Sequence, residues 1–259
     1  MKSDYEVLNF RNDEWDIEDG VLLKCRMNRY INIESIRIPD GVLKINTEAF
    51  SHIVKSIYIP KSVHTICSCA FQGCYQLESI YIDNLDVYLE KGCLYELENL
   101  KNVYIGGKRY DVIVTQFYSG NCGAQVYCLE RYLGNAKEYH VDDDIKVIGG
   151  LAFYNNTTLK KIVLPESVEE IELYAFSCDS DNSLTQVILP DSLKIIGIRA
   201  FNNCTSIEEI KRPQAVNFIG KEAFERWESW QKINIPVEFK ESKFYQKWRK
   251  GCDAEIIYY

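Results

Sequence analysis

The chain has 259 residues, 46% of them hydrophobic and 26% charged, which supplies a sizeable core and excludes a disordered segment. A formal net charge of −8 argues against a general electrostatic grip on nucleic acid or on an anionic membrane, since both need clustered Lys and Arg, and leaves only local basic patches open. Ten cysteines accompany only three histidines, His52, His64 and His140, and no CxxC pair has a partner pair, so the composition argues against a zinc site.

The opening MKSDYEVLNFRNDEWDIEDG is acidic and broken by charges, with neither the apolar core of a signal peptide nor a membrane span. As given, the sequence predicts a cytoplasmic chain without membrane insertion, and residues 1–30 read as an N-terminal lead-in or cap.

From residue 31 a repeat sets in. With Pro165 as origin, apolar residues stand at −3, −1, +3 and +6, and Ala-Phe at +10 and +11. The same register follows from Pro39 (Val42, Ile45, Ala49, Phe50), Pro60 (Val63, Ile66, Ala70, Phe71), Pro190 (Leu193, Ile196, Ala200, Phe201) and Pro213 (Val216, Ile219, Ala223, Phe224). Asp142 replaces proline in a sixth copy with Ile145, Ile148, Ala152 and Phe153. The alternation in SIYIP or KIVLP predicts a short strand that proline ends, because proline has no N–H to continue a ladder. Positions +3 to +6 predict a second short extended piece, and Ala-Phe a turn that tucks the ring inward. One unit of about 23 residues cannot offset its own conformational entropy, so successive coils must stack and share apolar edges and backbone hydrogen bonds.

The first block covers 31–107 and weakens at its end, where KGCLYELENL stands in place of Ala-Phe. Residues 108–137 carry no repeat signature and read as a hairpin-like interruption. At its start IGGKR, Ile105 to Arg109, lacks the helix start that would aim N–H groups at a phosphate, and reads as a turn. The segments EDGVLLKCRMNRY and GAQVYCLERYLGN are expected to be related lead-ins, one before each block. The second block covers 138–236, and 237–259 is expected to form a C-terminal cap: EFKESKFYQKWRKG has helical character with Gly251 as its stop, and AEIIYY reads as a last edge strand. Cys74, Cys178 and Cys204 fall two or three residues after a repeat Phe and are expected to be buried small hydrophobes.

No GxSxG, P-loop or GxGxxG occurs, and no His stands with a Cys or carboxylate in a recognisable catalytic spacing. Asp142 to Asp144 lack the spaced ligands of a calcium loop, and Glu169, Glu170 and Glu172 read as a solvated edge. No cofactor or metal is expected. The remaining candidate is a surface. Strand side chains alternate, so the residue at −2 faces out when −3 and −1 face the core. Coil by coil that position holds Arg37, Tyr58, Tyr81, Tyr104, His140, Val163, Ile188, Lys211 and Asn234. The three tyrosines predict an aromatic stripe, either a binding face for a protein or glycan or a purely structural stack, and Val163 and Ile188 predict an apolar strip.

The repeat in LKKIVLPESVEEIELYAF and SIYIPKSVHTICSCAFQGCYQLESIYI resembles the BspA-like leucine-rich repeats, over most of residues 31–236. The resemblance implies a mainly β repeat solenoid, a right-handed leucine-rich-repeat superhelix with short strands in each coil. It also implies a non-catalytic protein-binding role, with adhesion at a bacterial cell surface or a secreted location. An intracellular scaffold or self-assembling structural protein is the alternative, and a carbohydrate-active or hydrolytic protein a distant one.

Overall fold

The computed structural model describes residues 14–26, 33–50, 54–119, 124–179, 183–237 and 247–259. The chain divides into two compact units, Met1–Gln116 and Phe117–Tyr259. Among the described residues the regular structure is strand, apart from Glu14 and Val237, which are 3-10 in conformation. The expected helix over 238–251 lies mostly outside the described residues. Its final residues, 247–250, form a turn that ends at Gly251 with φ +69°.

In the first unit the strands are β1 (Trp15–Glu18), β2 (Val21–Cys25), β3 (Ile33–Arg37), β4 (Lys44–Ile45), β5 (Val54–Ile59), β6 (Thr65–Ile66), β7 (Ser79–Ile82), β8 (Tyr88–Leu89), β9 (Asn102–Ile105) and β10 (Lys108–Tyr110). They form two sheets, ordered β1-β2-β4-β6-β8 and β10-β9-β7-β5-β3. The second sheet collects the strands that precede each proline, and the first collects the short pieces that follow it. β11 (Val112–Ser119) contains the division between the units.

The second unit repeats this plan with β12 (Ala124–Tyr132), β13 (Glu138–His140), β14 (Ile145–Ile148), β15 (Lys161–Val163), β16 (Glu170–Ile171), β17 (Gln186–Ile188), β18 (Ile195–Ile196), β19 (Glu209–Lys211), β20 (Phe218–Ile219), β21 (Lys232–Ile235) and β22 (Glu255–Tyr258). The post-proline strands run β12-β14-β16-β18-β20, and the pre-proline strands form β13-β15-β17 and β19-β21-β22. The lead-in segments take equivalent places. Leu22 pairs with Ile45 and Leu129 with Ile148, and the next coil's Ala carbonyl accepts from Cys25 N–H (2.7 Å) and Tyr132 N–H (2.9 Å).

Each coil is built from the same local bonds. The +3 N–H donates back to the proline carbonyl, as in Val63 to Pro60 (3.1 Å) and Val168 to Pro165 (3.0 Å), and Ile145 does the same to Asp142 (3.1 Å). That turn leads the chain from one sheet to the other, and Asp142 supports it because the bond uses only the carbonyl. A second turn closes with the Ala N–H on the +7 carbonyl, as in Ala70 to Cys67 (3.2 Å). Its third residue has positive φ in all six copies: Glu48, Cys69, Leu151, Tyr174, Arg199 and Glu222. The segment KGCLYELENL follows the same path, with Gly92 at φ +80° and Cys93-Leu94 in the Ala-Phe places.

The core lies between the sheets and is layered by coil. Phe153, Phe176, Phe201 and Phe224 stack with centroids 5.0, 5.1 and 5.5 Å apart and planes within 7° of parallel. The stack ends against Tyr132 at one side, and against Trp227 and Trp248 edge-on at the other. In the first unit Trp15 meets Phe50 edge-on, Phe50 stacks on Phe71, and Leu94 takes the next place. Cys74, Cys178 and Cys204 are buried, as small apolar side chains at that turn should be.

Candidate functional site

The outer face of the pre-proline sheet in the first unit is fixed by in-register parallel pairing. Arg37 pairs with Tyr58, Tyr58 with Tyr81, and Tyr81 with Tyr104. The flanking Ile57, Ile59, Ile80 and Ile82 are buried while the three tyrosines are half-buried, which is the alternation of a strand with one solvated face. Because each strand carries its ring at the same position, the rings stack at the strand spacing. Tyr58 and Tyr81 have centroids 4.5 Å apart, Tyr81 and Tyr104 4.8 Å, and both pairs are within 5° of parallel.

Sequence reasoning missed the fifth member of this row. β9 folds back into β10 through Gly106 and Gly107, both at positive φ, and the antiparallel register sets Arg109 beside Tyr104. The signal was present, since a two-glycine turn between strands favours the primed hairpin turns that require positive φ at both central residues. The tyrosine stack is therefore bracketed by Arg37 and Arg109. Arg37 donates to Asp83 at 3.2 Å, and Arg109 pairs with Asp111 and donates to Asn102 Oδ1 at 3.2 Å, so both guanidiniums are held by carboxylates.

At the start of the same strands runs a row whose charge alternates: Glu34, Lys55, Glu78 and Lys101. Lys55 bonds Glu34 at 2.8 Å and Lys101 bonds Glu78 at 3.1 Å. In-register stacking places equivalent residues on top of each other, so a single sign repeated would repel; alternation turns the same geometry into attraction. The hydrogen bond that Lys55 donates to Glu34, and then the Glu34 charge, holds the Lys55 ammonium above its ordinary range.

The other candidates sit in the second unit, in two short rows. His140, Val163 and Ile188 are paired in register across β13, β15 and β17, with Val163 half-buried and Ile188 41% exposed. Lys211 and Asn234 are paired across β19 and β21, and β22 adds Ile257, which sequence reasoning had not placed there. The Lys211 ammonium lies 4.7 Å from the Tyr259 ring centroid. Glu138, at the edge of the first row, takes hydrogen bonds from Lys161 (2.8 Å) and His140 (3.0 Å), which lower its carboxyl below the usual range, Lys161 first. Among the described residues no group of three or more His, Cys, Asp or Glu is arranged to hold a metal ion. No described helix is long and apolar enough to cross a membrane.

Stacked coils of about 23 residues, with parallel strands in register and an aromatic ladder between two sheets, define a mainly β leucine-rich-repeat solenoid. The BspA type Leucine rich repeat region matches residues 24–123 and 125–248 in six copies, and the chain belongs to that family. Among solved structures it is similar to a leucine rich cell surface protein from Faecalibacterium prausnitzii A2-165 (17% identity, 87% of this chain and 79% of that one, TM-score 0.58). It is also similar to the pneumococcal vaccine antigen PcpA (20% identity, 83% of this chain and 65% of that one, TM-score 0.54). A search of curated protein sequences finds no match.

Proposed function

We propose that the chain is a non-catalytic protein-binding module whose partner docks on the outer face of the first unit, along Arg37, Tyr58, Tyr81, Tyr104 and Arg109. The observation that carries this reading is the half-exposed tyrosine stack. Three large side chains are already immobilised by one another, so docking on them costs little further side-chain entropy, and tyrosine combines apolar area with a polar tip. Membership of a repeat family supports a recognition role, since a solenoid offers an extended rigid face without needing a catalytic pocket. One structural neighbour is described as a cell surface protein and another as a vaccine antigen. Adhesion to host matrix or to another cell is the setting this proposal adopts for the binding face.

The test is binding of the full chain to an immobilised, solubilised extracellular-matrix preparation. The wild type is compared with the combined Tyr58→Ala, Tyr81→Ala, Tyr104→Ala variant, after confirming that the variant keeps its strand content and a cooperative thermal transition. Retention should fall by at least about tenfold in the variant, the effect of losing one to two kcal/mol at an interface anchor. Equal retention of the two proteins, or no retention of either, contradicts the proposal.

A further inference from the structure

The tyrosine row also sets up a covalent chemistry that does not depend on any partner docking there. Two tyrosines couple through the ring carbons beside their hydroxyls once each has lost an electron, and holding the two rings together in advance removes the entropic part of that barrier. Here strand pairing holds them. Tyr81 lies 4.8 Å from Tyr104 and 4.5 Å from Tyr58, ring centre to ring centre, with planes within 5° of parallel. Because the strands are parallel and in register, equivalent atoms of neighbouring rings are separated by about the same distance, including the carbons beside the hydroxyls. The three side chains point away from the core and are half-buried, so the hydroxyl end of each ring, farthest from the sheet, is the end that meets solvent and an oxidant arriving from it. Tyr132 and Tyr139 are equally close, at 4.7 Å, but their planes are tilted by 39° and Tyr132 is buried. Burial first, with the charge of Asp142 behind it, pushes the Tyr139 hydroxyl up to about 12, so that pair gives up a proton less readily.

We propose that Tyr81 is an oxidative cross-linking site, which a peroxide and a one-electron-oxidising haem catalyst join to Tyr104 or Tyr58 through a dityrosine bond between neighbouring coils. Each of the two tyrosines loses one electron and its hydroxyl proton. The resulting radicals join through the carbons beside the oxygens, the hydrogens on those carbons leave, and the hydroxyls regain theirs. The net loss is two electrons and two protons, which one hydrogen peroxide takes up at the haem to become two waters. The new bond joins residues 23 positions apart that are otherwise held side by side by main-chain hydrogen bonds and ring stacking. It closes a loop in the unfolded chain and raises stability in the manner of a disulfide.

The experiment exposes the full chain, dilute enough that collisions between molecules are rare, to hydrogen peroxide and a haem peroxidase that is then removed. Product is read by dityrosine fluorescence, by loss of two hydrogen atoms from the intact mass, and by mass mapping of the linked peptides. Tyr81→Phe keeps a ring in the stack but cannot form the phenoxyl radical, and it leaves Tyr58 and Tyr104 two strand spacings apart, roughly 9.6 Å. The expected product is a monomer whose linked peptides pair Tyr81 with Tyr104 or Tyr58, with a higher thermal midpoint than the unlinked protein. Its yield should fall at least about tenfold in Tyr81→Phe, and equally in wild type oxidised in urea, where the rings are no longer held together. Wild-type yield from Tyr81→Phe, an undiminished yield of the same linked peptides in urea, or an unchanged thermal midpoint overturns the proposal. So does a product linked only through Tyr75, Tyr132 or Tyr139, a product linked only between molecules, or no dityrosine at all.

Discussion

Phe176 lies flat against Phe201, their ring centroids 5.1 Å apart and their planes within 2° of parallel. Each ring belongs to a different coil, so the contact joins segments 25 residues apart and is repeated on the far side of Phe201 by Phe224 at 5.5 Å. Truncating Phe201 to alanine removes a ring contacted from both sides and leaves a cavity between coils. The expected cost is about 3–5 kcal/mol in urea unfolding. Phe201→Leu should cost clearly less, since Leu94 occupies the equivalent position in its own coil with 5% exposure. Equal losses in both variants would place the cost in the aromatic stacking rather than in the filled volume.

Successive coils approach closely at Gly220, where an added Cβ would lie 2.4 Å from the backbone nitrogen of Ile198. A main-chain atom cannot swing aside as a side-chain tip can, so Gly220→Ala must push neighbouring coils away from each other. Overpacking of this kind costs about 1–3 kcal/mol. The urea midpoint should fall without a change in slope, and an unchanged midpoint would show that the coil spacing is soft.

Arg226 is exposed and has φ +65°, in the left-handed region that L-residues enter at a cost of about 1–2 kcal/mol. Its backbone N–H donates to Gly251 at 2.6 Å, a bond that does not depend on the side chain. Arg226→Gly should therefore leave the turn intact and match or exceed wild-type stability, by up to about 1 kcal/mol. Arg226→Val should lower it. Thermal midpoints of the three proteins check the order.

Glu222 is buried among cations: Arg199 at 2.6 Å, Lys250 at 2.9 Å and Lys221 at 3.3 Å. The Lys250 hydrogen bond first, with Lys221 and the Arg199 charge behind it, pulls its carboxyl from 4.5 down to about 2. A carboxyl depressed in the folded state binds its proton more readily when unfolded. Its contribution is thus present above the unfolded value of 4.5 and is lost as pH falls through the folded value of about 2. The urea midpoint should decline across that window. Glu222→Gln should flatten the decline relative to wild type, and an identical pH profile for the two proteins would contradict the assignment.

The six Ala-Phe turns, the two strand rows and the stacked core were legible in the sequence because each rests on a side chain repeated at one offset from proline. The tyrosine row was legible for the same reason: Tyr58, Tyr81 and Tyr104 share one offset, and in-register pairing converts a shared offset into contact. Arg109 escaped because it reaches the row through an antiparallel return, to which the offset rule does not apply. Leu94 escaped because its coil keeps the turn with Gly92 and Cys93 and changes the letters that announce it. The positive φ before Ala-Phe left no trace, since Glu48, Cys69, Tyr174 and Arg199 share no side-chain chemistry and the conformation is imposed by the turn they close. The alternation of Glu34, Lys55, Glu78 and Lys101 was visible as letters, but its meaning depends on knowing that these four stand side by side.

The most direct measurement is hydroxyl-radical footprinting of the full chain, free and bound to the matrix preparation. It reports tyrosine and tryptophan oxidation residue by residue. Tyr75 and Trp230, exposed by 60% and 50% and outside the proposed row, serve as internal references. The account predicts protection of Tyr58, Tyr81 and Tyr104 on binding with Tyr75 and Trp230 unchanged. Protection of Tyr75 or Trp230, with oxidation of the three stacked tyrosines unaltered, would contradict it.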